Sequence, residues 1–385
     1  QLNQSRTVGL KARHRSQRWQ PLTWGAGTLE LGLSARIDRI DQAQNLLAAP
    51  ANTTWDRRID ADVTAADLGG YFDLDLELSK YVKLKGGVRA DVLAYRIGDA
   101  LQNFIPSYRQ QTYLVGYRRS AAGIATGPRV ALEATPWAPL TLSVAYGEGY
   151  RSPQALLLDE GEPAPFTKVR SADGGVRFNL FDRASLRASA FYTHLSQDIV
   201  FEATEGRAEP AGPSTRLGAT FYAEAHPLPW LHGSASLTYV RAKLDDPPPR
   251  TAENPSPPFE EGQALPYVPP VVLRLDASAE HALVDWRQHP LVGRMGLGFT
   301  YWSPRPLPYG EQTAAVALLD GELALRYRLA QLSLQMLNLT DARYSALELV
   351  AASNWDPAAI PSRVPMRHVI AGAPRTWLLS LGLSI

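Results

Sequence analysis

Apolar and polar residues alternate strictly along many segments of this chain, and this period of two constrains the fold more than any other feature. In FDLDLELSKYVKLKGG, residues 72–87, apolar residues alternate first with acidic and then with basic residues. Successive side chains leave opposite faces of a β-strand, so such a segment has one apolar and one charged face. The charged members are Asp73, Asp75, Glu77, Lys83 and Lys85.

These charges are expected to pair across a hairpin. If residues 79–81 form a three-residue loop, Glu77 lies opposite Lys83 and Asp75 lies opposite Lys85. A basic partner stabilises the ionised carboxylate, whereas a general acid must keep its proton. We therefore interpret the five residues as a hydrated charge ladder with a structural role, in preference to a catalytic pair or a metal site.

The same alternation recurs along the whole sequence. It is found in TLELGLSARID (28–38), LTLSVAYG (140–147), VLRLDASAE (272–280) and TWLLSLGLSI (376–385). Segments with a helical period are hard to find. The predicted strands run to about ten to fourteen residues, longer than is usual in globular sheets and suited to a tilted crossing of a bilayer.

Short and long connections alternate between these strands. The short connections lie around residues 79–81, 135–139, 180–183, 226–230 and 328–330. The long connections are predicted at 39–61, 98–126, 152–167, 202–213, 245–266 and 341–372, and they are rich in proline and polar residues. All long loops then emerge at one end, which is typical of a membrane β-barrel with strands that alternate apolar outside and polar inside.

Aromatic residues concentrate at the predicted strand ends. Tyr81, Trp137, Phe181, Trp230 and Trp286 lie near short connections, and Tyr95, Tyr146, Tyr192, Tyr239, Tyr301 and Trp377 lie near long ones. Two such belts match the aromatic girdles of membrane barrels. The alternative is that strand ends are simply rich in aromatic residues.

Composition excludes several other classes. The chain of 385 residues has no cysteine, which excludes a disulfide framework and thiolate metal sites. Its net charge of +1 lacks the basic footprint of a nucleic-acid-binding protein. No apolar run approaches the length of a membrane-spanning helix, which is about eighteen residues. The predicted fold class is therefore all-β, a transmembrane antiparallel β-barrel whose polar face lines a wet interior and whose apolar face contacts lipid.

Several segments resemble motifs of the TonB-dependent outer-membrane receptors. PRVALEATPWAPLTLSVAYGEGYRSP (128–153) is similar to a hairpin that ends in G-F-R-A-P, and SLQMLNLTDARY (333–344) is similar to N-L-F-D-x-R-Y. LPYVPPVVLRLDASAE (265–280) and APRTWLLSLGLSI (373–385) resemble two late strands of the family. Their order along the chain makes the resemblance specific. Thr340 departs from the usual phenylalanine.

The resemblance implies a barrel of about 22 strands with a plug in its lumen. It also implies location in the outer membrane of a Gram-negative-type bacterium, with outer-membrane lipid as a partner. The function implied is active uptake of a scarce small-molecule nutrient, such as a ferric siderophore, cobalamin or a glycan, driven by a TonB-type energy coupler that acts through the plug. No cofactor and no enzymatic activity are expected.

Only about fifteen strands are visible in the sequence, an odd number where bacterial barrels have even ones. Residues 1–385 are therefore expected to form the C-terminal part of the barrel. The plug and early strands would come from a missing N-terminal segment or a separate chain. The first strand, near 6–15, and the last, 376–385, run in the same direction, so they cannot close a barrel antiparallel to each other.

The candidate ligand-binding residues are Tyr150, Arg151, Trp302, Trp355, Arg363, Arg367 and His368. They lie in the outer segments, by which we mean the long connections and the strand ends that adjoin them. Aromatic rings and cationic donors suit an anionic, aromatic chelate. The alternative is that these side chains pack the loops on one another.

No catalytic residue and no metal site are expected. The histidines available as a base, His194, His226, His232 and His368, are scattered over different connections and strands. A trio of nucleophile, base and orienting acid cannot be built from them. The alternative function is a passive porin-like or structural outer-membrane barrel.

Overall fold

The computed structural model describes residues 2–22, 25–48, 50–100, 105–106, 113–114, 118–152, 155–158, 160–180, 183–202, 207–247, 259–352 and 365–383. Within these ranges the helices are two single 3₁₀ turns, Ala155–Leu157 and Pro308–Gly310. No helix in the described part of the chain is long and apolar enough to cross a membrane.

In the described ranges, twenty strands make up nearly all of the regular structure. They are β1 (Leu2–Arg15), β2 (Trp19–Leu22), β3 (Gly25–Ala48), β4 (Thr53–Glu77), β5 (Val82–Asp99), β6 (Ile105–Pro106), β7 (Tyr113–Leu114), β8 (Arg118–Trp137), β9 (Leu140–Arg151), β10 (Thr167–Leu180), β11 (Ala184–Glu202), β12 (Arg207–Leu228), β13 (Leu231–Leu244), β14 (Val271–Trp286), β15 (His289–Trp302), β16 (Val316–Tyr327), β17 (Ala330–Leu337), β18 (Ser345–Ala352), β19 (Pro365–Ala371) and β20 (Thr376–Leu383).

One antiparallel sheet contains nearly all of these strands. Its order is β1-β3-β4-β5-β8-β9-β10-β11-β12-β13-β14-β15-β16-β17-β20, with β2 paired to β3 beside β1. This path holds fifteen strands, the number predicted from the sequence. Because neighbours are antiparallel and the number is odd, β1 and β20 run in the same direction. In the described residues β1 pairs with β3 alone and β20 with β17 alone.

The register of β4 and β5 is the one predicted for a three-residue loop. Glu77 lies opposite Lys83, and Asp75 lies opposite Lys85. Backbone hydrogen bonds between Ser79 and Val82 close the turn. The alternation of the sequence thus predicts the strands, and the length of the turn predicts their register.

Burial alternates along β5 and distinguishes the two faces of the sheet. Tyr95 and Ile97 are buried, whereas Val92 is exposed. We call the face that carries Tyr95 the inner face and the opposite one the outer face. Strand pairing places Asp75 and Lys85 on the inner face.

The apolar alternating residues occupy the outer face. They include Leu74, Leu76, Leu140, Leu142, Val144, Leu379, Leu381 and Leu383. Val144 is 64% exposed and Leu379 is 72% exposed. A lipid-facing surface requires large apolar side chains that are exposed along one face of the sheet. Leu78 lies in the turn after β4.

The connections alternate in length, but two of the predicted long loops are wrong, and a third, 98–126, is too long because β8 begins at Arg118. Residues 39–61 are mostly strand, because β3 and β4 pair up to Ala48 and Thr53. Pairing likewise continues through most of 202–213, where Glu202 lies opposite Arg207. An antiparallel ladder satisfies its own backbone hydrogen bonds, so strands can continue where the sequence is polar. A connection that the sequence reading missed, 303–315, lies at the same end.

The aromatic belts differ from the prediction at one position. Trp137 and Trp286 are exposed near short turns, and Tyr146 and Tyr239 are exposed towards the other end. Tyr95 instead lies buried on the inner face, with its hydroxyl 3.0 Å from the Oγ of Ser152. The buried residues of this part of β5 have odd numbers, and Tyr95 is one of them. The alternation along the strand therefore places its side chain on the inner face. Phe181 lies outside the described residues.

Long connections fold onto the inner face and form its apolar core. Leu158, from the connection after β9, packs with Val63, Ile97 and Ala125. Gly123 allows the same connection to approach β8 closely at Pro163, because a Cβ at residue 123 would lie 2.4 Å from the backbone oxygen of Pro163.

Two further clusters continue this core. Phe259 and Leu265, from the connection after β13, pack with Ala242 and Leu244. A smaller cluster joins Leu307, Val350 and Tyr267 from three different outer segments. The outer segments are thus attached to the sheet and to one another, next to the inner face.

Candidate functional site

The inner face near the short turns carries a groove of about 540 Å³ lined by charged residues. The lining includes Arg15, Glu30, Asp73, Asp75, Lys85 and Arg129. These residues come from β1, β3, β4, β5 and β8. Their side chains share one face because paired residues of antiparallel strands point to the same side.

Each acid of the ladder has a basic contact. The Nε of Arg129 donates to Asp73 at 2.9 Å, with a second bond from the same guanidinium. Lys85 lies 3.7 Å from Asp75. Glu77 pairs with Arg18. Half-exposed, paired charges contribute little to stability, so the ladder supports a hydrated interior with balanced charge.

Lys83 of β5 lies between charged residues on both neighbouring strands. It lies opposite Glu77 on β4 and opposite Glu133 on β8. The Tyr71 hydroxyl donates to Glu30 at 2.7 Å on the same face. The charged positions thus continue across neighbouring strands, and the structural role of the ladder stays a prediction.

A second network lies nearer the long connections, around a buried carboxylate. Asp198 of β11 is 4% exposed and pairs with Arg216 of β12 and with Arg151 at the end of β9, 3.2 Å away. The Ser214 hydroxyl and the Ile199 amide also donate to Asp198, at 2.7 Å and 2.9 Å. Four donors compensate the burial of this charge.

This network positions Arg151, one of the predicted ligand residues. Its guanidinium also donates to the Gln197 carbonyl at 3.4 Å. The side chain remains 43% exposed in spite of these contacts. A guanidinium has five N–H donors, so Arg151 can hold Asp198 and still present donors to another anion.

Tyr150 packs a loop onto the sheet. Its ring makes an edge contact with Phe166, with centroids 5.9 Å apart, and both rings pack against the cluster of Val63 and Leu158. The Tyr150 hydroxyl is buried and has no hydrogen-bond partner among the described residues. At Tyr150 the packing alternative describes the observed contacts.

A third network lies in the β18–β19 hairpin. Arg367 pairs with the buried carboxylate of Glu348, and His368 Nε2 lies 3.2 Å from the Ala351 carbonyl oxygen. Trp302 is half-buried at the end of β15, opposite Val272 and Val316. Trp355 and Arg363 lie outside the described residues. The predicted ligand residues thus divide between the surroundings of β9–β12, the end of β15 and the β18–β19 hairpin.

The structure brings together two histidines that the sequence reading had treated as scattered. His226 and His232 face each other across the turn between β12 and β13, with ring centroids 4.4 Å apart. The Glu224 carboxylate lies 3.5 Å from His226 and 4.0 Å from His232. The signal was present in the sequence as Glu-x-His before a tight turn with a second His at the mirrored position.

Comparison with known proteins agrees with this architecture. A family model for the β-barrel of TonB-dependent receptor-like proteins matches residues 2–339. Comparison with curated proteins finds no match.

Among solved structures, the ferric citrate transporter FecA superposes with a TM-score of 0.73 at 13% identity, over 99% of this chain and 55% of that one. The ferric-catecholate import receptor Fiu from E. coli K12 gives a TM-score of 0.69 at 14% identity, with 98% and 54% covered. The ferric yersiniabactin uptake receptor FyuA from Yersinia pestis gives 0.67 at 15% identity, with 99% and 54% covered.

The chain therefore spans about half the length of the solved structures that it matches. At these identities the superpositions establish the fold alone. The family model covers most of the chain, and it agrees with the inner and outer faces of the antiparallel sheet. Together these findings show that the chain belongs to the TonB-dependent receptor β-barrel family.

Proposed function

We propose that this chain is part of an outer-membrane receptor that takes up a scarce nutrient, with a ferric chelate as the leading substrate class. The observation that supports it most is a family barrel whose outer segments fold onto a polar inner face. The similar structures are named for ferric-catecholate import, ferric yersiniabactin uptake and ferric citrate transport. The outer face, rich in exposed leucine and valine, contacts outer-membrane lipid.

The two edges of the sheet support a larger assembly. β1 and β20 run in the same direction, and each pairs on one side within the described residues. An unpaired strand edge in a bilayer leaves backbone groups without partners, which is costly. We infer that residues 1–385 form the C-terminal part of the barrel and that further strands and a plug, from a preceding segment or a separate chain, complete it. Energy coupling through a TonB-type protein would act on that plug.

The ligand is expected to contact the cationic and aromatic side chains of the outer segments. Arg151 and Arg367 are 43% and 37% exposed although each pairs with a buried carboxylate. Fixed guanidinium groups with spare donors suit an anionic chelate, since their orientation costs little on binding. Trp302, His368, Trp355 and Arg363 complete the proposed set, whereas the Tyr150 ring packs a loop onto the sheet.

Arg151→Gln is expected to lower the affinity for the transported chelate at least about tenfold, because a hydrogen bond to a charged group contributes about 1.5–3 kcal/mol. The fold is preserved, since Asp198 keeps Arg216 and Ser214 as partners. Binding of radioiron-labelled ferric siderophores to cells that carry the receptor gives the measurement.

The matched control is Arg241→Gln, an exposed arginine on the outer face of β13. It should bind normally. Equal affinity of the two variants for the ferric siderophore would show that Arg151 does not contribute to binding. Uptake that is unchanged after all outer segments are trimmed would favour a passive pore.

A further inference from the structure

We propose that Glu224, His226 and His232 form a binding site for a divalent late transition metal, such as Zn²⁺, Ni²⁺ or Co²⁺, at the short-turn end of the inner face. This inference does not depend on the proposed uptake function. The three side chains each offer one ligand atom, and these atoms all lie within 4.8 Å of one another.

The β12–β13 hairpin explains why the side chains converge. Its register places Glu224 opposite Ser234 and Ala225 opposite Gly233. His226 and His232 are the next residues of the two strands, and their ring centroids lie 4.4 Å apart. Residues directly opposite on one face of an antiparallel pair have adjacent side chains. Glu224 precedes His226 by two residues and therefore shares its face.

The backbone around His226 is held in place. Its amide donates to the Arg183 carbonyl at 2.7 Å, which anchors the end of β12 to the preceding turn. A register shift follows between Ala225 and Leu228. Pro227 restricts His226 to extended conformations. The hairpin thus presents both imidazoles with little freedom in the main chain.

The distances between ligand atoms fit a metal centre. Ligands bound at about 2.0–2.2 Å in a tetrahedral site lie about 3.3–3.6 Å from one another. His232 Nδ1 lies 3.2 Å from His226 Nε2, and His226 Nε2 lies 3.5 Å from Glu224 Oε1. The third distance between ligand atoms, from His232 Nδ1 to Glu224 Oε1, is 4.0 Å. A small side-chain rotation would close it.

A neighbouring hydroxyl orients the carboxylate. Tyr222 donates to Glu224 Oε2 at 3.1 Å, while Oε1 is the oxygen nearest both imidazoles. Metal-binding carboxylates are commonly held in this way by an outer hydrogen bond. Tyr222 therefore acts as a positioning residue for the site.

The donor set decides the class of metal. Two imidazoles and one carboxylate suit Zn²⁺, Ni²⁺, Co²⁺ or Cu²⁺, whereas Mg²⁺ and Ca²⁺ prefer oxygen ligands alone. The histidine side chains are partly exposed, so water can fill the remaining coordination positions. Zinc sites with three protein ligands keep a coordination position open in this way.

The test is a titration of the full chain, isolated in detergent without a histidine tag and stripped of metal by a chelator. Zn²⁺ measured by calorimetry, and Co²⁺ measured by its visible absorption, should each bind at one site. His226→Ala and His232→Ala should each weaken binding at least about tenfold. Tyr222→Phe should weaken it about 10-fold, at the lower end of the range for such outer partners.

The matched controls are His281→Ala and His289→Ala, which remove histidines from β14 and β15 near the same end of the sheet. They should bind Zn²⁺ normally. A thermal unfolding scan gives a second readout, since Zn²⁺ should raise Tm in the original protein and in the controls but not in His226→Ala with His232→Ala. Unchanged Zn²⁺ affinity in that double variant, or an equal loss in His281→Ala, would overturn the proposal.

Discussion

Arginine in place of Val144 is expected to destabilise the folded barrel by about 2–4 kcal/mol, the cost of a cationic side chain at mid-depth on a lipid-facing surface. Val144 lies on the outer face of β9, between Leu142 and the belt residue Tyr146. Most of its side chain is exposed. A guanidinium there would have to reach past apolar neighbours to find water.

The adjacent Ser143 provides the control for this substitution. It is exposed on the inner face of the same strand, so Ser143→Arg places the same charge one residue away in a polar setting. Its cost should be much smaller. Urea unfolding in lipid vesicles, followed by tryptophan fluorescence, gives both free energies. A larger cost for Ser143→Arg would invert the assignment of the two faces.

Removal of the Asp198 carboxylate should cost about 3 kcal/mol, at the lower end of the range for breaking a buried ion pair. Asp198→Ala leaves Arg216 and Arg151 close together without their shared anion, and it leaves the buried Ser214 hydroxyl without this acceptor. The two arginines are partly exposed, and water moderates the penalty. Denaturant unfolding measures the change.

An exposed ion pair serves as the comparison. Glu280 and Arg326 lie 3.1 Å apart with side chains that are 50% and 57% exposed. Glu280→Ala should change the stability by no more than about 0.5 kcal/mol, as is usual for surface sites. If Glu280→Ala and Asp198→Ala cost the same, burial would not determine the contribution of the Asp198 network.

The fold was largely predictable because one local rule operates along the whole chain. Alternation fixes which side chains share a face, and a short turn then fixes the register, as Glu77 and Lys83 show. The same alternation explains why Tyr95 departs from the predicted belt. The nearness of Tyr95 to a loop predicts a position in the aromatic belt. Its side chain instead points to the inner face, as the alternation along β5 requires, and it packs in the core.

Loop boundaries were less predictable, because polar composition does not prevent strand pairing. The segment 39–61 lacks a clear apolar face but pairs almost to its tip at Ala48 and Thr53. Backbone hydrogen bonds alone sustain such a ladder outside the apolar band.

The surroundings of the candidate ligand residues could not be predicted, because their partners are distant in sequence. Arg151 is 47 residues from Asp198, and Arg367 is 19 residues from Glu348. Composition identifies a cationic residue in an outer segment but does not reveal the carboxylate that orients it. The His226–His232 pair was accessible in principle, since the hairpin symmetry that predicted Glu77 opposite Lys83 applies there as well.

Measurement of energised uptake distinguishes a receptor from a passive pore. Iron-limited cells that carry the whole gene would be given labelled ferric siderophores and labelled cobalamin, with the periplasmic energy-coupling protein present or deleted. If the chain is part of an energised receptor, one solute accumulates against its gradient, and deletion of the receptor gene or of the coupling protein abolishes the accumulation. Receptor-dependent entry that persists at the same rate without the coupling protein would contradict this proposal and indicate a passive pore.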